Sequence, residues 1–486
     1  MLSRLNFSKM LPVAPFIKKH KAWVILYLIS TLTFFTSAVP VFGGDFADRK
    51  EVYAIDSVPE NKFSDSIVEK RFGRAVLELM LAETTPFLVD QYIRKVDYTR
   101  ISFKTIGDNL SPGSWVWDGD GFTTNQFGHP YHGSQFYSAF RANGYSFWQS
   151  VPATFVGSYL WETFSEVQAP APNDLINTGF GGVVLGEMTY RLSQKMVDNR
   201  KRGFRRQTSE VLAFMINPVN GFNRIVNGQW GKVMANSAER DSAKVYTEFD
   251  VGLRRFKSTN LNAAFTLYGH VKLLYGTPFE NYKTPFSNIA VNAEFSNDDS
   301  SKVNIASVYG SLKGWRIKSK DKDRHLLLLS ANYDYINNEA FFYSAESIRL
   351  HLLSEFSASK NLKINTAAGT GLILLAAVPD IYFYKERNYD YCAGIAINGS
   401  CTFGIAKHFF YTISYRGGWL RTINGNTANY FMHSITSEIR FRLKNNFSVC
   451  AEPGLMTLQN QYRNFDVVNK NYHYLRVSLR YGFTVQ

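Results

Sequence analysis

The sequence predicts an α+β chain: an N-terminal helical domain followed by a C-terminal antiparallel transmembrane β-barrel of about 12 strands. Three observations predict it. Apolar residues recur at helical spacing before Trp230–Lys244 and at a spacing of two after it. Aromatic residues make up 15% of the 486 positions, as 39 Phe, 28 Tyr and 8 Trp, although the mean hydropathy is slightly polar. A lipid-facing barrel with aromatic girdles uses such a share; a small core does not. The last alternating segment carries Tyr481 and Phe483 close to its end. The 45% hydrophobic content excludes disorder over most of the chain. Beyond the N-terminus no run of about 18 apolar residues is free of charge, which excludes a multi-spanning helical membrane protein.

Residues 1–44 hold Arg4, Lys9, Lys18, Lys19 and Lys21 and no acid, then an apolar stretch from Ala22 to about Phe42. A basic start, an apolar middle and small residues at the exit describe a secretory signal peptide, with cleavage expected between Ala38 and Gly44. An uncleaved inner-membrane anchor is the rival reading. That segment accounts for five of the charges in a formal net charge of +14, so much of the basicity is targeting. Nucleic acid is not an expected partner of a secreted chain.

The helical domain is expected over 45–235. Ser64 is a plausible N-cap for a segment in which Ile67, Phe72, Val76, Leu79 and Met80 share a face. Further helical stretches are Asn125–Ala142, Phe147–Glu166, Asp174–Asp198 and Ser209–Met215, punctuated by Pro112, Pro130, Pro152, Pro170, Pro172 and Pro218.

The barrel is expected over 240–486. Leu475, Val477, Leu479, Tyr481, Phe483 and Val485 alternate with Arg476, Ser478, Arg480, Gly482, Thr484 and Gln486. Ile435–Leu443, Val245–Leu253, Phe265–Tyr275, Ile289–Phe295, Leu327–Tyr335 and Phe409–Trp419 follow the same rule, near the length that a tilted membrane strand needs. A soluble sandwich also alternates. The barrel is favoured by long segments, by charges on the polar face, and by connections that alternate short (357–361, 404–408, 445–446) and long (378–390, 421–429, 459–471). The segment 276–285 breaks that rhythm. These features place the chain in the outer membrane of a Gram-negative bacterium, with outer-membrane lipids around it and the barrel assembly machinery reading the aromatic-rich final strand. The helical domain is expected beneath the barrel on the periplasmic side or plugging its lumen. Cys392, Cys401 and Cys450 form no metal spacing, and a Cys392–Cys401 bridge depends on strand geometry.

Between 115 and 191 polar residues stand where helix packing alone does not call for them: Trp115-Val-Trp-Asp118-Gly-Asp120-Gly-Phe122, Asn125, Gly128-His129-Pro-Tyr-His132-Gly-Ser134, Gly157-Ser-Tyr-Leu-Trp161-Glu162, Glu166, Asn173-Asp174, Asn177, Gly181-Gly182, Gly186-Glu187 and Tyr190-Arg191. Over residues 105–230 this string, with Asn217-Pro-Val-Asn-Gly221-Phe-Asn-Arg224, resembles an uncharacterised bacterial envelope family, domain of unknown function 3943. That family implies no activity. More distantly, the order of acid, His, Glu, then Asp, Asn and glycines is similar to the VanZ-like membrane families, though the usual Asp-Lys before the His is absent.

His129 and His132 are three apart, and Glu162 and Glu166 four apart, so each pair shares a helical face. Asp174 and Asn177 stand at the start of the next helix. The candidate ligand set is Asp118, Asp120, His129, His132, Glu162, Glu166, Asp174, Asn177 and Glu187. If the helices pack antiparallel, the set could bind a small or lipid-like ligand, hold a divalent metal or run acid–base chemistry on lipid or glycan. No cofactor is predicted, a divalent metal being the one group that such residues admit. In the structural alternative each group meets a local need: Asn173 or Asp174 caps a helix, Glu162 pairs with Arg141 or Arg191, and Gly182 and Gly186 let helices approach. No G-x-S-x-G, HExxH or P-loop supports an enzyme. Arg200, Lys201, Arg202, Arg205 and Arg206 are candidates for anionic lipid, with an exposed linker as the alternative.

Overall fold

The computed structural model describes residues 69–486 apart from 238–239, 241–242, 259–260, 262, 298–299, 320–322, 360, 407 and 486. The expected signal segment 1–44, Ser64 and Ile67 lie outside the described residues.

The described helices are α1 (Phe72–Leu88), α2 (Phe103–Asn109), α3 (His129–Arg141), α4 (Phe147–Phe164), α5 (Pro172–Ile176), α6 (Gly182–Met196), α7 (Phe204–Ile216) and α8 (Pro218–Val226). Ser146 starts α4 with a capping box, its hydroxyl accepting from Gln149 N while Gln149 Oε1 accepts from Ser146 N. Pro218 takes the first turn of α8, and Asn217 Oδ1 accepts from Asn220 N at 2.9 Å. Single π-helical turns at Thr124–Gly128 and Asn177–Gly181 lead into α3 and α6. The α3–α6 crossing is a backbone contact. A Cβ on Gly182 would lie 2.6 Å from the Gly133 carbonyl carbon, and one on Gly133 would lie 1.9 Å from the Thr178 carbonyl oxygen.

Twelve described strands, β1 (Val245–Lys257), β2 (Thr266–Tyr275), β3 (Ile289–Ser296), β4 (Val303–Ile317), β5 (Arg324–Asn337), β6 (Phe342–Ser359), β7 (Leu362–Tyr384), β8 (Arg387–Ile405), β9 (Phe409–Asn424), β10 (Ala428–Arg442), β11 (Phe447–Tyr462) and β12 (Val468–Val485), pair antiparallel with their neighbours. β1 pairs β12 and closes the barrel. Closure satisfies the backbone without an edge, as a bilayer requires. The outward face is an apolar belt that includes Val251, Leu253, Leu372, Ile395, Ile397, Ile435, Val477 and Leu479, all exposed. The opposite face is charged and self-paired. Arg480 binds Asp250 and Glu438, Arg476 binds Glu294 and Glu452, Arg440 binds Glu248, and Arg349 binds Asp334. The barrel spans a membrane, and its lumen is crossed by its own ion pairs.

The long outer connections expected over 378–390, 421–429 and 459–471 are mostly strand. β7 and β8 meet in a two-residue turn, Lys385–Glu386, both residues in the left-handed region. Alternation fails near that turn because the wall there is covered on both faces. Cys392 and Cys401 lie nine residues apart on one strand, β8, beyond the reach of a bridge; all three thiols are free.

The main correction concerns the lumen plug: the described helices meet the barrel on its outward face, not in its lumen. Tyr389 and Tyr391 share a side of β8 with exposed Ile395 and Ile397, and Val245 shares a side of β1 with Val251 and Leu253. Tyr333 and Tyr335 pair with outward-facing Val308 and Ala306. All five buried outward residues of this set join Phe122, Tyr137, Phe147, Val183, Val184 and Leu185 in one core. The helices therefore pack on the outer wall across β1–β8. The same unit leaves Phe72, Leu77, Ile93, Phe103, Trp148 and Val156 exposed. No described helix is long and apolar enough to cross a membrane. The off-rhythm segment between β2 and β3 belongs to this contact: Phe286 stacks on Phe147 with centroids 5.4 Å apart, and Arg191 Nη2 donates to Pro285 O at 2.9 Å.

Candidate functional site

The seam between helices and barrel is polar at the β8 end. Asn125 Nδ2 donates to Tyr389 Oη at 2.9 Å and to Tyr391 Oη at 2.8 Å. Tyr389 Oη donates to the Asp120 carbonyl at 2.8 Å, and Arg387 Nη1 to the Asp118 carbonyl at 2.9 Å. The Arg387 guanidinium lies 4.3 Å from the Tyr391 ring centroid, and Trp117 packs on that ring at 5.2 Å. Tyr333 Oη donates to the Gln126 carbonyl at 2.6 Å. The segment that carries Asp118 and Asp120 is thus pinned to the wall.

Behind it five of the candidate acids gather. Glu162 and Asp174 are buried, Asp118 and Glu166 half-buried, and Asp120 is exposed. Burial pushes the carboxyls of Glu162 and Asp174 well above the usual carboxylate range, and neighbouring acids push further: Asp174 and Glu166 on the first, Asp118 and Glu166 on the second. Burial raises Glu166 as well, against the pull of His129 and the Trp161 indole, which donates to its Oε1 at 2.5 Å. His129 Nε2 is 3.4 Å from Asp174 Oδ1, and its Nδ1 is 3.4 Å from Thr178 Oγ1. Asn173 bridges the group. Its Oδ1 accepts from Asp118 N at 3.0 Å, and its Nδ2 donates to Asp174 Oδ1 at 2.8 Å. Glu162 Oε2 accepts from Ala171 N at 3.3 Å.

Asn177 is fully buried, with neither side-chain polar atom hydrogen-bonded. Both it and Asn125 sit in π turns, which occur disproportionately at functional sites. Among the described residues no group of three or more His, Cys, Asp or Glu has the geometry to hold a metal.

Three other candidates stand apart. His132 is half-buried between Phe136 and Trp161, with Nε2 3.1 Å from the Ala82 carbonyl oxygen, and desolvation of its ring lowers it to about 4. Glu187 is saturated, accepting from Tyr137, Arg141 and Arg191 at 2.7–2.9 Å. Burial works to raise its pKa, but the two arginines prevail and lower it. Arg141 and Arg191 thus serve Glu187, where the structural alternative assigned one of them to Glu162. Arg206 leaves the lipid set, since it is buried and paired with Glu210. Arg200, Lys201, Arg202 and Arg205 are exposed, the first two beside Asp198.

Sequence reasoning missed Asn109, whose Nδ2 donates to the carbonyls of Glu162 and Glu166, and the wall residues Arg387, Tyr389 and Tyr391. One signal marks the wall: Glu346 pairs with Tyr333 on the outward face, where lipid would exclude a carboxylate. It is buried, and its Oε1 would lie 3.5 Å from a Cβ on Gly181.

No curated protein matches the chain. Solved structures with a likeness to it include the NanC porin (12% identity, 47% of this chain and 98% of that one, TM-score 0.28) and the KdgM porin (13%, 48% and 99%, 0.24). The outer membrane channel DcaP of Acinetobacter baumannii is a third (8%, 50% and 97%, 0.25). The membrane-barrel reading stands on this chain's own register and outward face, not on likenesses of that size. The stretch that supplies Asp118 through Glu187, the two π turns and Asn217 is also the stretch, residues 114–219, that matches the family described as domain of unknown function (DUF3943).

Proposed function

We propose that the chain is an outer-membrane protein of a Gram-negative envelope that binds a lipid-like ligand on the flank of its barrel. Its parts are a helical unit over 45–235 and a barrel over 240–486. The gathering of Asp118, Asp120, Glu162, Glu166 and Asp174 around His129, inside a unit with an apolar outer surface, carries the reading. Acids forced together at low dielectric are held protonated, and a cationic head relieves that cost. The ligand that fits is an amphipathic molecule with an amine head, its tail along the exposed apolar helices. β12, with Tyr481 and Phe483, is the strand for the barrel assembly machinery to read.

The test uses the full chain in nanodiscs. Phosphatidylethanolamine should be retained over phosphatidylglycerol, and Glu162→Gln with Asp174→Asn should cut that preference about tenfold with the barrel intact. Equal retention of the two lipids, or an unmoved preference in the variant, would overturn the reading and leave a structural cluster. A second reading, acid–base hydrolysis of the same ligand, is favoured by the His129–Asp174 contact. It requires product release that His129→Ala abolishes while binding persists.

A further inference from the structure

The Asn217–Arg224 motif does more than start α8. Asn220, Asn223 and Arg224 line a cavity of 440 Å³ at the far end of the helical unit, together with Arg71, Asn143 and Arg240. His129 and Asn143 are fourteen residues apart along α3 and its exit, roughly 20 Å of helix, so this cavity is separate from the acid cluster.

Two features say what it takes. Asn143 and Asn223, 3% and 2% exposed, both donate their amides to Glu78 Oε2, at 2.7 and 2.6 Å. That leaves both side-chain carbonyl oxygens buried and without a hydrogen bond, acceptors in need of donors. Close by, exposed Arg71 donates from Nη1 to the neutral carboxamide of Asn227 at 2.6 Å, where an anion would make a stronger, charge-assisted bond. Arg224, by contrast, is already committed to Glu210 by two hydrogen bonds. Carboxamide acceptors beside a guanidinium match hydroxyl groups beside a phosphate. The volume lies within the range of small-molecule sites.

We infer that this cavity binds a phosphorylated sugar, its hydroxyls on Asn143 and Asn223 and its phosphate on Arg71.

Titration calorimetry of the solubilised full chain with glucose 6-phosphate, glucose and inorganic phosphate tests this. Glucose 6-phosphate should bind at least tenfold more tightly than either half. Arg71→Gln should weaken glucose 6-phosphate about tenfold without changing glucose, and Asn143→Leu should weaken both. In nanodiscs with lipid A, competition with glucose 6-phosphate assigns the site to a lipid-linked sugar phosphate. Absence of competition assigns it to a free one. No binding of glucose 6-phosphate to the folded protein, or an Arg71→Gln protein that binds it like the parent, overturns the assignment.

Discussion

The side-chain amide of Asn125, in the π turn before α3, donates to the hydroxyl of Tyr391 on the outward face of β8 at 2.8 Å. The bond joins the helical unit to the barrel wall at a fully buried point. Removing the amide takes a donor from both tyrosine hydroxyls, and their own contact at 3.3 Å replaces it for one of them only. Asn125→Ala should therefore weaken docking by about 1–3 kcal/mol. Faster proteolysis of the helical unit and a changed Trp117 fluorescence should report it, while the barrel keeps its heat-modifiable migration. Unchanged proteolysis would place the docking energy elsewhere in the seam.

Glu187 anchors the helical core through Arg141 and Arg191. Removing the acid takes away the carboxylate that buried Arg191 and half-buried Arg141 share in salt bridges and leaves them backbone carbonyls, so Glu187→Ala should cost about 3–5 kcal/mol. Denaturant melts followed by helical circular dichroism measure the loss. A variant as stable as the parent would show that the arginines find other acceptors.

Gly182 lies on the backbone of Gly133, where an added Cβ would come within 2.6–2.7 Å of two backbone atoms. No flexible side chain is there to yield. Gly182→Ala should destabilise the helical unit by about 1–3 kcal/mol, and Gly73→Ala, where a Cβ meets nothing within 4 Å, serves as the control in the same melts.

Stability should fall at both ends of the pH range. Glu83 has neither carboxyl oxygen hydrogen-bonded, and burial raises it to about 9. The folded state then keeps a proton that the unfolded chain sheds near 4.5. Its contribution is full below that value and is lost as pH rises through about 9. His132 behaves oppositely. Held neutral down to about 4, it contributes fully above 6.5 and less as pH falls between the two. Unfolding followed by Trp161 fluorescence, with the His132 ring 4.7 Å away, should show both limbs. Glu83→Gln should flatten only the alkaline one, and a curve with both limbs intact in that variant would exclude Glu83 as the cause.

Ligand binding at the acid cluster should follow pH as well. Burial and then the neighbouring acids raise Glu162 and Asp174 well above the usual carboxylate range, so a cationic head has to displace protons. Affinity for phosphatidylethanolamine should rise with pH above the ordinary carboxylate range, with protons released on binding. An affinity flat in pH would mean that these acids do not meet the head.

By itself the sequence determined the two periods, hence helices before Trp230 and an antiparallel barrel of about 12 strands after Lys244. Periodicity follows from backbone geometry and shows in every residue of a segment. The sequence also marked the acids that gather, because Asp118, Asp120, Glu162, Glu166 and Asp174 stand among apolar neighbours. It did not separate His132 and Glu187 from them. Whether a buried polar group meets its partners locally or across the fold depends on contacts such as Arg141–Glu187 that spacing does not encode. Only the tertiary structure decided where the helices go. Tyr333, Tyr389 and Tyr391 keep the outward parity of a lipid girdle, and a tyrosine that faces lipid reads the same as one that faces a helix. The outward side of a barrel is one continuous apolar surface, and which part of it protein covers is settled by packing complementarity between distant segments.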